Sequence, residues 1–151
     1  MPDSEWDERL AAAAGQVLET MFFTAIHGPA EAAGSIAAAR VAAHLTFAGT
    51  TCGALTVSVS ESSVRALAAN FLAMEQEDPI PASQIGCIVC ELTNMICGSL
   101  LSRVKTEQHI RLSSPELWPE DAALPAEPPS QSLDLGDGTI DLWLAVEEHA
   151  G

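Results

Sequence analysis

Glu91 and Asn94, three positions apart in Cys90-Glu91-Leu92-Thr93-Asn94-Met95-Ile96, are the residues of this 151-residue chain whose types and spacing best suit chemistry. Wound into a helix at about 100° per residue, the segment sets the two side chains beside each other on one surface. A carboxamide donates to and accepts from water without titrating near neutral pH, whereas a carboxylate only accepts and seeks a cation. Such a pair is suited to holding a water or a partner. It is less suited to shuttling protons, because neither a second carboxylate nor a histidine accompanies it. Three of the four cysteines, Cys87, Cys90 and Cys97, share the stretch, and Cys52 stands apart. A zinc site would need a fourth ligand and a turn to gather the sulfurs. A redox CxxC opens a helix behind a strand, while Cys87 and Cys90 begin several residues inside one. The cysteines therefore read as small, semi-buried hydrophobes, and the singly scattered His27, His44, His109 and His149 as surface or loop residues.

The helix that must position the pair spans roughly residues 84–104, with Ser83 as its expected cap. Ile85, Val89, Leu92, Ile96, Leu100 and Val104 form its inward face, and Gln84, Cys87, Glu91, Asn94, Gly98, Ser102 and Lys105 form the opposite stripe. Ile88 and Met95 flank that stripe and are expected to offer apolar docking surface. At Gly98 the missing side chain lets a partner backbone approach. A solvated polar face accounts for the same stripe. Against it, Asn is a mediocre helix former and a mid-helix Gly costs ~1 kcal/mol relative to Ala. Both fall within five residues of an alanine-rich chain.

The remaining elements are expected in this order. A first helix, roughly 5–26, is capped by Ser4, closed by Gly28-Pro29, and turns Trp6, Leu10, Val17, Leu18, Met21 and Phe22 inward. Residues 30–38 have no clear assignment. A hairpin follows, Arg40–Phe47 and Ala54–Ser60 around a Gly49–Gly53 turn, with Leu55, Val57 and Val59 on one face and Thr56, Ser58 and Ser60 on the other. Then come a helix near 61–74, an acidic connection Glu75–Pro81, the long helix, and a strand His109–Ser113. A proline-punctuated stretch, 115–130, reads as a mobile surface loop. A final hairpin joins Ser132–Leu135 to Thr139–Val146 through Gly136-Asp137-Gly138. This is an α+β chain of one domain over residues 1–151, with long helices on an antiparallel sheet. A helix followed by a hairpin occurs twice, at 5–60 and 84–147, and Val17-Leu18-Glu19 sits where Val89-Cys90-Glu91 does.

Hydrophobic residues make up 48% of the chain, enough for one core. The 21 acidic and 6 basic side chains give a formal net charge of −15, which repels phosphate backbones and anionic headgroups and argues against nucleic-acid and membrane partners. No apolar run reaches the ~20 residues of a bilayer span. The acidic start, with Asp3, Glu5, Asp7 and Glu8, is unlike a secretory leader. A cytoplasmic protein is expected, whose docking face must gather its few cations locally, Arg103 and Lys105 being the nearest.

The run Glu91-Leu92-Thr93-Asn94-Met95-Ile96-Cys97-Gly98 resembles the signature helix of the CheC/CheX/FliY chemotaxis phosphatases: Glu-x-x-Asn, then apolar residues and Gly, with Pro115 answering slightly early to a proline some twenty residues on. The Phe47–Thr56 hairpin, with Gly49 and Gly53, and the Val17–Phe23 helix resemble their family counterparts, so the likeness covers roughly residues 8–147. It implies a phosphatase acting on the aspartyl phosphate of a CheY-like receiver domain. The receiver itself would bring the divalent metal, Mg2+, and no cofactor would reside in this chain. By the same resemblance Asn94 orients the attacking water and Glu91 pairs with the receiver's active-site lysine. Ile88, Met95, Gly98, Ser102 and Lys105 would surround the docking. Two departures stand out. Cys87 occupies a position where the family often has Asp or Ser. Glu19 is followed at i+3 by Phe22 rather than Asn, so one site per chain is expected, a CheX-like pattern with a homodimer. A non-catalytic receiver-binding module of the same fold is the alternative.

Overall fold

The computed structural model describes residues 3–29, 40–49, 51–73, 79–103, 110–119, 122–136 and 138–148. Expectations for 30–38, Lys105, Val104, His109, Asp137 and His149 lie outside them. Helix α1 (Asp3–Met21) is followed by the short strand β1 (Gly28–Pro29), the hairpin β2 (Arg40–Ala48) and β3 (Thr51–Ser60), and α2 (Glu61–Leu72). Helix α3 (Ala82–Ser102), the two-residue strands β4 (Arg111–Leu112) and β5 (Glu116–Leu117), and the hairpin β6 (Gln131–Asp134) and β7 (Thr139–Glu148) complete the chain. The sheet is antiparallel in the order β1-β6-β7-β3-β2-β4, and β5 also pairs with β2. The inner strands of the two hairpins meet at its centre, where Val57 lies opposite Leu142 and Val59 opposite Ile140.

Period-two alternation decides the two faces. Ala43, Leu45, Phe47, Leu55, Val57, Val59, Leu133, Ile140 and Leu142 point into one core with the apolar sides of all three helices. Gly53 is needed in that layer. A Cβ there would stand 2.2 Å from the Ala145 carbonyl and 2.5 Å from the Phe47 ring, so any side chain would push β3 off its neighbour. On the opposite face Thr56, Ser58, Asp141 and Trp143 are buried too. Part of their cover comes from residues 115–119 and 122–130, where the sequence suggests only a mobile loop. The Trp118 N–H donates to the Ala42 carbonyl at 2.8 Å and its ring meets His44 edge-on at 5.2 Å. The Trp143 indole donates to the Glu127 carbonyl at 2.9 Å, and the Leu144 N–H to Ser130 Oγ at 3.0 Å. On the same face Arg40 Nε donates to Ser58 Oγ at 2.7 Å, its other nitrogens reach Thr139, and Nη2 stands 3.6 Å from Asp141 Oδ2. This ion pair is buried. Asp141 Oδ1 has no hydrogen-bond partner among the described residues.

Several ends differ from the sequence expectation. Helix α1 stops five residues early because Phe23 takes a left-handed φ of 51°, which lets the Thr24 N–H reach back to the Leu18 carbonyl at 2.9 Å. The turn after Met21 leaves Met21 exposed rather than inward, while Phe22 is fully buried and stacks on Phe71 at 4.9 Å. Ser4 and Ser83 lie within helices instead of capping them, and Pro81 precedes α3 with no side-chain cap. Strand β3 begins at Thr51, inside the expected turn, and β4 is shorter than 109–113. Helix α3 is long and apolar enough to cross a bilayer by length and composition, contrary to the sequence reading. Its apolar side is spent on α1 and the sheet instead, with Val89, Leu92, Ile96 and Leu100 fully or almost fully buried.

Candidate functional site

Helix α3 places the expected stripe outward. Gln84, Cys87, Glu91, Gly98 and Ser102 are exposed and Asn94 is half-buried. Glu91 is the sole charged residue between Ala82 and Ser102, in a chain that carries 21 acids. No hydrogen bond or ion pair within the described residues engages the Glu91 carboxylate or the Asn94 amide. Their polar atoms stay available to an incoming partner, about 5–6 Å apart at Cβ as i,i+3 neighbours. The helix beneath them is firmly seated. Buried Thr93 donates its hydroxyl to the Val89 carbonyl at 2.8 Å, and the Arg103 N–H closes the last turn on Leu100 at 3.0 Å.

The flanks are narrower than expected. Ile88 is only 6% exposed and belongs to the core, so it offers no docking surface. The inward face of α3 is wider than one stripe because α1 and the sheet both cover it, and Gly86, Thr93 and Cys97 are buried with it. Met95 is half-buried and leans on the core. Ser102 turns its hydroxyl to the Ser99 carbonyl at 2.7 Å. At Gly98 a Cβ would meet nothing within 4 Å, so nothing in the described chain requires glycine there. Of the two expected cations, Lys105 lies outside the described residues. Arg103 is held by α1 through a hydrogen bond to the Gln16 side-chain carbonyl.

The thiols form no metal centre: among the described residues no three His, Cys, Asp or Glu side chains gather for an ion. Burial pushes the Cys97 thiol up to about 12. Burial, with Cys87 and Glu91 nearby, raises that of Cys90 as well. Both are thus held as neutral thiols, the opposite of an activated nucleophile. Cys87 is exposed one turn before Glu91. The arrangement has a free carboxylate, a free amide and an open glycine on one helix surface. It can bind and orient groups brought by another molecule, and among the described residues neither a second carboxylate nor a histidine stands beside Glu91 and Asn94 on it. The sequence did not reveal the aromatic Phe23, 73% exposed just beyond α1. The only local signal is a Phe-Phe pair at a helix end.

A family model described as "Chemotaxis phosphatase CheX" matches residues 41–131, more than half of the chain. The fold is similar to crystal structures of CheX proteins. That of Vibrio vulnificus has a TM-score of 0.73 at 18% identity and covers 97% of this chain and 99% of its own. That of Desulfovibrio desulfuricans has a TM-score of 0.72 at 17% identity, covering 95% and 99%. A third similar structure is the Borrelia burgdorferi CheX in a CheX–CheY–BeF3–Mg2+ complex, with a TM-score of 0.68 at 17% identity, covering 93% and 97%. At such identities the likeness is one of fold. No curated protein matches the chain by sequence.

Proposed function

The chain belongs to the chemotaxis phosphatase CheX family, and on that premise we propose that it hydrolyses the aspartyl phosphate of a CheY-like receiver domain docked against α3. One observation carries the reading: Glu91 and Asn94 stand together, unengaged, on the exposed stripe of the helix. An acyl phosphate is reactive, so its hydrolysis needs a positioned water more than covalent help. The receiver brings Mg2+ and a lysine that neutralise the phosphoryl oxygens, in keeping with the Mg2+ in the Borrelia complex of a CheX with CheY. Water attacks phosphorus, the bond to the aspartyl oxygen breaks, and inorganic phosphate leaves. Asn94 holds that water in line through its amide, as a glutamine does in GTPases. Glu91, with no cation of its own on α3, pairs with the receiver lysine and fixes the approach of the helix. Met95, Gly98 and Ser102 border the contact, the protein works in the cytoplasm where receivers are phosphorylated, and it acts as a homodimer with one site per chain.

The test follows the decay of a phosphorylated receiver with substoichiometric protein, wild type beside Asn94→Ala. The wild type accelerates decay, and the variant loses about 100-fold of that acceleration. Its melting temperature does not fall, because Ala is the better helix former. Equal decay with both proteins sinks the role of Asn94. The second reading, a receiver-binding module without hydrolysis, is favoured by exposed Cys87, which makes no hydrogen bond to Glu91 where a family Asp or Ser would stand. A mere binder protects or ignores the phosphate and cannot shorten its lifetime at catalytic amounts.

A further inference from the structure

A cavity of about 610 Å3 lies apart from the exposed stripe of α3, between the β2 edge, the first turns of α2 and α3, and residues 117–119 and 122–124. That volume falls within the roughly 300–1,000 Å3 typical of small-molecule sites. Val41, Val64, Ile80, Ile85, Leu117 and Trp118 form an apolar wall, and polar groups make up much of the remaining lining. The chain has 6 basic residues against 21 acidic ones, yet two of the six, Arg40 and Arg65, are at this cavity with one carboxylate among the described residues, Glu61. The charge of Arg40 is met by Asp141. Arg65 makes no ion pair or hydrogen bond among the described residues and sits exposed on α2. Ala82 lines the same space at the start of α3, which has no acid in its first turn and no side-chain cap, so the positive end of the helix adds to the field there.

We propose that this cavity binds a small amphipathic monoanion, with an apolar body among Ile80, Ile85, Leu117 and Trp118 and a carboxylate at the mouth on Arg65. The charge stays near water, so its desolvation is cheap, and the apolar body gains the burial. In a chain of net charge −15 it is Arg65, unpaired among the described residues, together with the start of α3 that favours an anion at this mouth. Ile85 and Gly86 belong to α3 a turn and more before Glu91, so an occupant touches the same helix without covering its exposed stripe. The site does not depend on the phosphatase reading.

Calorimetric titration of the full chain with 4-phenylbutyrate, 4-phenylbutan-1-ol and 4-phenylbutylamine tests it. The acid binds about tenfold more tightly than the alcohol, the worth of one charge-assisted hydrogen bond, and the amine does not bind. In Arg65→Gln the acid falls to the level of the alcohol, whose own affinity is kept. Ala122→Trp, which fills the cavity from its exposed wall, removes both. Equal binding of acid and alcohol, an advantage of the acid that survives Arg65→Gln, binding that survives Ala122→Trp, or no binding at millimolar ligand overturns the proposal.

Discussion

Helices α1 and α3 pack against each other and both carry a glutamate after an apolar pair, Val17-Leu18-Glu19 in one and Val89-Cys90-Glu91 in the other. They differ at the residue three positions on. In α1 it is Phe22, fully buried and stacked on Phe71; in α3 it is Asn94, half-exposed and unengaged. The left-handed residue Phe23 ends α1 directly after that position, while α3 runs two further turns beyond Asn94. For the proposed site a glutamate on a long helix is thus not enough. The neighbouring position must be released from the core, and the helix must continue past it to offer a surface.

Swapping residues between the two helices is the sharpest way to break this contrast. Phe22→Ala removes a fully buried ring and is expected to cost about 3–5 kcal/mol in urea unfolding. Phe22→Asn gives α1 the same Glu-x-x-Asn spacing but at a buried position; combined with Asn94→Ala it leaves the protein without receiver dephosphorylation. A double variant that recovers activity would refute the burial argument. Next in size, Glu91→Ala weakens receiver binding by about 30-fold, since it orphans a cation at the contact, while Glu19→Ala leaves binding unchanged. Equal losses from the two would erase the distinction between the helices.

Gly98→Ala separates stability from docking. No atom crowds the missing Cβ, so alanine stabilises the chain by about 1 kcal/mol while receiver affinity falls; a stabilised variant that docks normally would remove Gly98 from the contact. The effect that is smallest near neutral pH is alkaline. The folded Cys97 thiol titrates at about 12 against an ordinary 9.0. Its contribution is therefore complete below pH 9 and is lost as pH rises from there towards 12, because the unfolded chain releases that proton first. The loss is roughly a few tenths of a kcal/mol at pH 9. The core side of α1, from Trp6 to Phe22, holds no titratable group. Cys97→Ala should accordingly flatten the slope between pH 9 and 11, and an unchanged slope would assign it elsewhere.

The stripe of α3 was legible because 3.6-residue spacing and a solitary charge mark it in the letters alone, and the strands of both hairpins were legible from their alternation. Ile88 was misread because spacing locates the middle of an inward face but not its width, which α1 and the sheet set together. The end of α1 was missed because the stop is a phenylalanine in a conformation that usually selects glycine. The cover on the back of the sheet was missed for another reason. Trp118, Trp143 and Ser130 anchor it through hydrogen bonds with main-chain groups, a tie that carries no periodicity. The cavity between α2, α3 and β2 collects residues from 40 to 124, and no local pattern gathers them.

Arg40 has a consequence for how the strands find their places. Its guanidinium touches β3 at Ser58 and β7 at Thr139 and Asp141, so it reads the alignment of three strands, Thr139 lying 99 positions along the chain from it. If β2 slipped by one residue, every side chain on it would change face, swinging Arg40 into the helix-covered core and Val41 out of it. The misaligned sheet would then bury a guanidinium among Val59, Ile140 and the helices and leave Asp141 without its cation, a penalty of several kcal/mol. The buried pair adds little by way of attraction, but it makes the wrong alignments costly, and the stage on which α3 stands is thereby specified to the residue.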